Sequence, residues 1–195
     1  MLQTARRRGS VVQVKRVVGN LWDLHPDHWI VVPVNCGWNK RGRAIMGTGV
    51  ALQAAQRFPH LREVWGRSCR EAARSSRAED VNHASLVRFD AASRCVLFPT
   101  KPLDAVKPAL SWRLPADLNL VEQSAITLDA VRSGLREDGV YIERVALPLV
   151  GCGAGGLARE QVLPILEQHL DDNFTLVEPE RLVWNSSAAS RRGAL

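Results

Sequence analysis

At 195 residues, with 46% hydrophobic and 24% charged side chains, the chain has the size and make-up of one globular domain with a full core. No apolar run approaches the roughly 20 residues of a membrane helix, and the N-terminal MLQTARRRGS pairs a basic cluster with no apolar stretch, which does not read as a secretory signal. Arg6, Arg7, Arg8, Arg191 and Arg192 carry five of the net +6 and leave +1 for residues 11 to 185, so the body is not expected to be a nucleic-acid reading surface.

VVQVKRVV (11 to 18) alternates as a strand should, and GNLWDL follows as a turn. HPDH (25 to 28) reads as a turn rather than a metal pair, since nothing else supplies ligands. WIVVPVN (29 to 35) is a continuous apolar run, the type of strand that is buried on both faces. The polar loop CGWNKRGRAIM comes next. Small and apolar residues at 50, 51, 54, 55 and 58 then suit a helix ended by Pro59, and a second helix is expected over 61 to 74. SLVRFD (85 to 90) and RCVLFPT (94 to 100) read as paired short strands. From Asp117, a natural N-cap, Leu118, Val121, Ala125, Leu128, Val131 and Leu135 mark a long amphipathic helix that Asp138-Gly139 ends. RVALPLV (144 to 150) is another buried strand and residues 160 to 170 a helix, whose start Pro164 leaves open because proline fits only a first turn. FTLVEP and RLVW supply the closing strand or strands.

Alternating strands and helices imply a layered α/β sandwich around a mixed sheet. One domain over 11 to 185 is expected, with basic tails at 1 to 10 and 186 to 195 that solubilise rather than fold. Cys36, Cys69, Cys95 and Cys152 are widely spaced with no C-x-x-C, which points to reduced thiols in a cytoplasmic protein and to no metal site.

The segment ALPLVGCGAGGLAREQV carries the strongest local signal. Gly151, Gly153 and Gly156 satisfy G-x-G-x-x-G, but a dinucleotide fingerprint belongs to the first βαβ unit, with an acidic residue ending the next strand. Here the loop begins at residue 151, too late for a nucleotide half. Cys152 is no nucleophile elbow either, since Val150 and Ala154 stand where that motif needs glycines. A lone loop of this kind equally suits a tight turn. A second one, MGTGVALQAA, also follows a buried strand and opens a helix. Two such loops offer backbone N–H groups to an anion from two sides, which suits a diphosphate. G-x-x-x-x-G-K-[ST] is absent, so no triphosphate with magnesium is expected.

Taken in order, VVGNLWD, VVPVNCGW…MGTGVALQAAQRFP, VLFPTK and ALPLVGCGAGGL resemble the macro domain, an ADP-ribose-binding module, over residues 11 to 178. The resemblance is to the DarG-type branch and its relatives that cleave terminal ADP-ribose. It implies a three-layer α/β/α sandwich with a mixed, largely parallel sheet. By the same resemblance, Asn20 stands where the family's adenine-binding aspartate is usual, with Leu21 beside it, and Asn35 faces the distal ribose. Gly47, Thr48, Gly49 and Val50 form the first phosphate loop, Thr48 replacing a lysine common in the branch. Gly151, Cys152, Gly153, Ala154, Gly155, Gly156 and Leu157 form the second. Lys101 of FPTK matches the branch's catalytic lysine, acting as a free amine at the anomeric C1″ or as a cation that stabilises developing charge. Trp112, with Arg113, walls the pocket or packs.

Loop 36 to 46 is about six residues longer than usual and basic (Lys40, Arg41, Arg43), and is expected to cover the distal ribose or touch the modified target. Gly155 stands where protein-deacylating relatives carry an acid. The resemblance implies a monomer that binds ADP-ribose, with no cofactor and no membrane partner, and hydrolyses an ADP-ribosyl linkage on DNA or protein. The alternatives are a binding module without turnover and an ADP-ribose-1″-phosphate phosphatase.

Overall fold

The computed structural model describes residues 13–75 and 82–180. The expected tails, residues 11 and 12 of the alternating segment and the RLVW segment lie outside them. Six strands form one sheet: β1 (Lys15–Val18), β2 (Trp29–Asn35), β3 (Arg88–Asp90), β4 (Cys95–Lys101), β5 (Val145–Leu147) and β6 (Phe174–Glu178). Their spatial order is β1-β6-β5-β2-β4-β3, and every neighbouring pair is parallel except β3 with β4. Two helices pack on each face, α1 (Gly49–Arg57) and α2 (Leu61–Ser75) on one, α3 (Leu118–Glu137) and α4 (Arg159–His169) on the other. This is the expected three-layer sandwich.

Strand periodicity explains why the central strands read as unbroken apolar runs. Successive side chains point to opposite faces, and both faces are covered. Val31 of β2, Val96 and Phe98 of β4, and Phe174 and Leu176 of β6 join the core under α3 and α4. Ile30, Val32, Val34, Cys95 and Leu97 join the core under α1 and α2, where Trp65 is fully buried. Each such apolar side chain contributes roughly 1.5–3 kcal/mol on burial. Asp117 caps α3 as expected, its carboxylate accepting from Leu120 N at 2.8 Å.

Several boundaries differ from the expected ones. Residues 83–86 form a 3-10 turn capped by Asn82, so β3 begins only at Arg88. β5 ends at Leu147, before Pro148, and the remaining residues bend into the glycine loop. GNLWDL is a 3-10 turn over Leu21–Leu24. α3 buries Ser124 and Arg132 among its apolar residues. Arg132 is ion-paired with Asp129 and Asp171 at 2.9 and 3.2 Å.

Pro164 lies inside α4, not in its first turn. Ala158 is the N-cap, and its N–H donates to the Gln161 side chain at 3.1 Å. Val162, Leu163 and Leu166 pin the helix to the sheet on either side of the proline. That burial offsets the missing backbone hydrogen bond, about 3 kcal/mol in a helix interior.

Candidate active site

A cleft of about 1340 Å³ opens where the carboxyl ends of the strands meet the two glycine loops, the place where α/β sheets commonly bind ligands. Asn35 and Lys101 end the adjacent strands β2 and β4 and are paired in register across an irregularity at Val34/Asn35. Gly47, Thr48, Gly49 and Val50 line one side. Gly151, Cys152, Gly153, Ala154, Gly155 and Leu157 line the other, with Trp112 and Arg113 also at the wall.

Lys101 is held at the floor. Its ammonium donates to the backbone carbonyls of Trp112 and Ala154, both at 2.9 Å. Burial pulls its pKa below the ordinary lysine value, while the two carbonyl acceptors favour the charged form. Trp112 thus contributes its carbonyl to the site, and its indole, 46% exposed, stands at the wall.

Local backbone geometry builds the second loop. Gly151 and Gly156 have φ of +78° and +79°, the left-handed region that only glycine enters freely. Leu157 N donates to Gly151 O and Gly156 N to Gly153 O, both at 3.1 Å. Gly155 leaves no room for a side chain, since a Cβ there would collide with Gly151 O and lie 2.7 Å from the Ala116 methyl. An acidic residue at this position would need a different loop. Cys152 N is turned inward to Leu149 O at 3.3 Å, so the loop N–H groups with no protein acceptor among the described residues are those of Gly151, Gly153, Ala154 and Gly155.

The first loop runs into the N-terminus of α1, whose opening N–H groups have no partner within the helix. Thr48 is its N-cap, and the Thr48 hydroxyl makes no capping bond. Asn35, 9% exposed, contributes differently from expectation: its Nδ2 donates to Ile45 O at 2.7 Å and its Oδ1 accepts from Gly37 N at 3.0 Å. The amide thus ties both ends of the long basic loop to β2, with one N–H and one lone pair left over.

That loop is an ordered hairpin rather than a loose cover. Asn39 N donates to Arg43 O at 2.9 Å, and the Asn39 side chain accepts from Arg41 N and Arg43 N. Its turn sits on α2 at Gly66, where a Cβ would strike Gly42 O. Arg43 is paired with Glu63 at 2.8 Å, and Arg62 donates to Met46 O at 3.0 Å.

Asn20, Leu21 and Gly156 do not line the cleft. Leu21 is buried beneath the 3-10 turn. Asn20 caps that turn, accepting from Trp22 N at 3.2 Å and donating to Asp23 at 3.0 Å, with one N–H and one lone pair left over. Sequence reasoning missed Arg159, Glu160, Val177 and Pro179, which border the same cleft. Arg159 holds Glu178 through two hydrogen bonds of 3.1 and 2.9 Å, which keeps the Glu178 carboxyl below the usual carboxylate range. No short motif marks those positions. Among the described residues, no group of three His, Cys, Asp or Glu side chains converges as a metal site.

No protein-family model matches the chain. Over 163 residues it is 29% identical to the DNA ADP-ribosyl glycohydrolases of Mycobacterium tuberculosis (strain ATCC 25618 / H37Rv) and Mycobacterium bovis (strain BCG / Pasteur 1173P2), a match covering 83% of this chain and 39% of each relative. The chain thus spans about two fifths of the length of the curated relatives it matches. Two solved structures are similar over nearly their whole length, each at 26% identity and a TM-score of 0.57. The macrodomain of Mycobacterium tuberculosis DarG covers 86% of this chain and 99% of its own. That of Thermus aquaticus DarG covers 85% and 97%. The structure of Thermosipho africanus DarTG in complex with ADP-ribose shares the fold, at 19% identity and a TM-score of 0.58, over 88% of this chain and 43% of its own.

Proposed function

We propose that this chain, a macro domain of the DarG type, binds ADP-ribose in the cleft and hydrolyses the bond joining ADP-ribose to DNA. The observation that carries the reading is the placement of Lys101, an ammonium held between Trp112 O and Ala154 O at the floor between two glycine loops. The free N–H groups of Gly153, Ala154 and Gly155, with those opening α1, suit a diphosphate gripped from both sides. The name of the curated relatives, DNA ADP-ribosyl glycohydrolase, supports DNA as the target.

With two ammonium protons given to carbonyls, the third is left for the reacting centre. As the bond from C1″ to the base breaks, its electron pair leaves with the base, and the ammonium stabilises that charge and supplies the proton. Water adds its oxygen to C1″ and returns a proton to Lys101, so the step balances without metal or cofactor. Asn35 acts as a positioning residue for the hairpin. The site is complete within one chain, which supports a monomer. All four thiols are free, which supports a reducing compartment such as the cytoplasm, and no helix of the described residues is long and apolar enough to cross a membrane.

The test is turnover of ADP-ribosylated oligonucleotide, ADP-ribosylated glutamate peptide and ADP-ribose-1″-phosphate side by side. Cleavage of the oligonucleotide is expected, and micromolar ADP-ribose binding with no turnover of any of them refutes the hydrolase. Because burial lowers the Lys101 pKa and the proposal needs its charged form, kcat falls as pH rises through that lowered value. A kcat that rises there instead assigns Lys101 as a free-amine nucleophile.

A further inference from the structure

At the cleft wall lies a surface outside the two glycine loops. The indole of Trp112 stands 46% exposed at the cleft wall, and the Arg113 guanidinium lies over it with Cζ 5.1 Å from the ring centroid. This pair sits directly after the carbonyl that holds Lys101. The pair thus stands where the cleft meets solvent, next to the Lys101 contact.

The basic hairpin is packed against the same segment. A Cβ at Gly37 would collide with Pro108 O and lie 2.6 Å from the Ser111 side chain, so the hairpin base and the 3-10 turn Pro108–Arg113 touch. Lys40 and Arg41 are exposed at the hairpin tip, and Lys107 is exposed at the start of the turn. Residues 36–46 contain no acidic side chain. Of the two acids flanking the turn, Asp104 accepts from the backbone N–H groups of Val106 and Lys107 at 3.1 and 2.8 Å, and Asp117 caps α3. The far side of the cleft differs: Arg159 there is neutralised by Glu178, and Glu160 stands next to it. A body of nearly neutral net charge is therefore positive on one lip.

We infer that this lip is a binding surface for single-stranded DNA, with the modified base stacked on the Trp112–Arg113 platform and the flanking phosphates on Lys40, Arg41 and Lys107. An aromatic ring backed by a guanidinium takes the π-face of any unpaired base, and exposed basic side chains beside it track a phosphate backbone. A peptide target offers no regular row of phosphate charges to the lip. The inference rests on the DNA-linked reading of the cleft and names how the rest of that substrate is held.

Its test uses the whole chain and two independent readouts. Binding of a fluorescent unmodified single-stranded oligonucleotide is followed against salt concentration. For Lys40→Ala/Arg41→Ala, affinity is expected to fall about tenfold, with the salt slope reduced by roughly 1.4, two phosphate contacts' worth. ADP-ribose affinity is expected to be unchanged. For Trp112→Ala, affinity falls roughly 5- to 150-fold, and Trp112→Phe recovers part of it. On ADP-ribosylated oligonucleotide, the double variant raises KM with kcat retained. Oligonucleotide binding that is absent in the wild type, or indifferent to these variants, overturns the inference and leaves the cleft's activity standing. Equal weakening of turnover on ADP-ribosylated peptide overturns it too, since the lip then serves any acidic partner. Loss of ADP-ribose binding in the wild type would instead refute the cleft reading while the oligonucleotide data still judge the lip.

Discussion

The first glycine loop, Gly47 to Val50, leaves its backbone open to the cleft, whereas the second, Gly151 to Leu157, is closed by its own hydrogen bonds and packed against Ala116. A Cβ at Gly47 or Gly49 would meet nothing within 4 Å, while one at Gly155 would strike backbone. Gly47 and Gly49 therefore keep space for a ligand, as Gly153 does in the second loop, whereas Gly155 lets that second loop exist. The second loop also supplies Ala154 O to Lys101, so that side chain is tied to the hydrogen-bonded loop and not to the open one.

The largest effect expected from this difference is at the link itself. Lys101→Ala should lower kcat on ADP-ribosylated DNA about 10²–10³-fold, the usual cost of removing one charge-stabilising donor. ADP-ribose affinity by calorimetry should change only a few-fold, and an unchanged kcat would move catalysis elsewhere. Next, Gly155→Ala should cost about 1–3 kcal/mol in urea unfolding, as overpacking against unyielding atoms does, and weaken ADP-ribose binding with it. In the open loop, Gly49→Ala pays only for its φ of +54°, about 1–2 kcal/mol. Gly47→Ala, the smallest, should leave stability within about 0.5 kcal/mol and still weaken ADP-ribose, because the methyl enters ligand space. Equal stability losses at Gly47 and Gly155 would erase the contrast between the loops.

Much of the layered fold was legible because burial on two faces leaves a mark in the sequence. WIVVPVN and RCVLFPT are largely apolar since Ile30, Val31, Val32 and Val34 of β2 and Cys95, Val96, Leu97 and Phe98 of β4 meet one core or the other, and Asp117 announces α3 by the capping chemistry it performs. Pro164 misled because helix propensity is a local preference that the burial of Val162, Leu163 and Leu166 overrides. Arg132 was invisible as a core residue, since its partner Asp171 lies 39 positions away.

The sequence by itself determined the two glycine loops, the order of strands and helices, and Lys101 at the end of an apolar strand, all of which rest on neighbours in the chain. Only the tertiary structure decided what those residues do. It gave Lys101 its two acceptors, 11 and 53 residues distant, set Asn20 to cap a 3-10 turn, and set Asn35 to fasten the hairpin. It also gathered scattered basic residues onto one lip of the cleft. Hydrogen-bond partners and charge fields are properties of distance in space, and a sequence orders residues only along the chain.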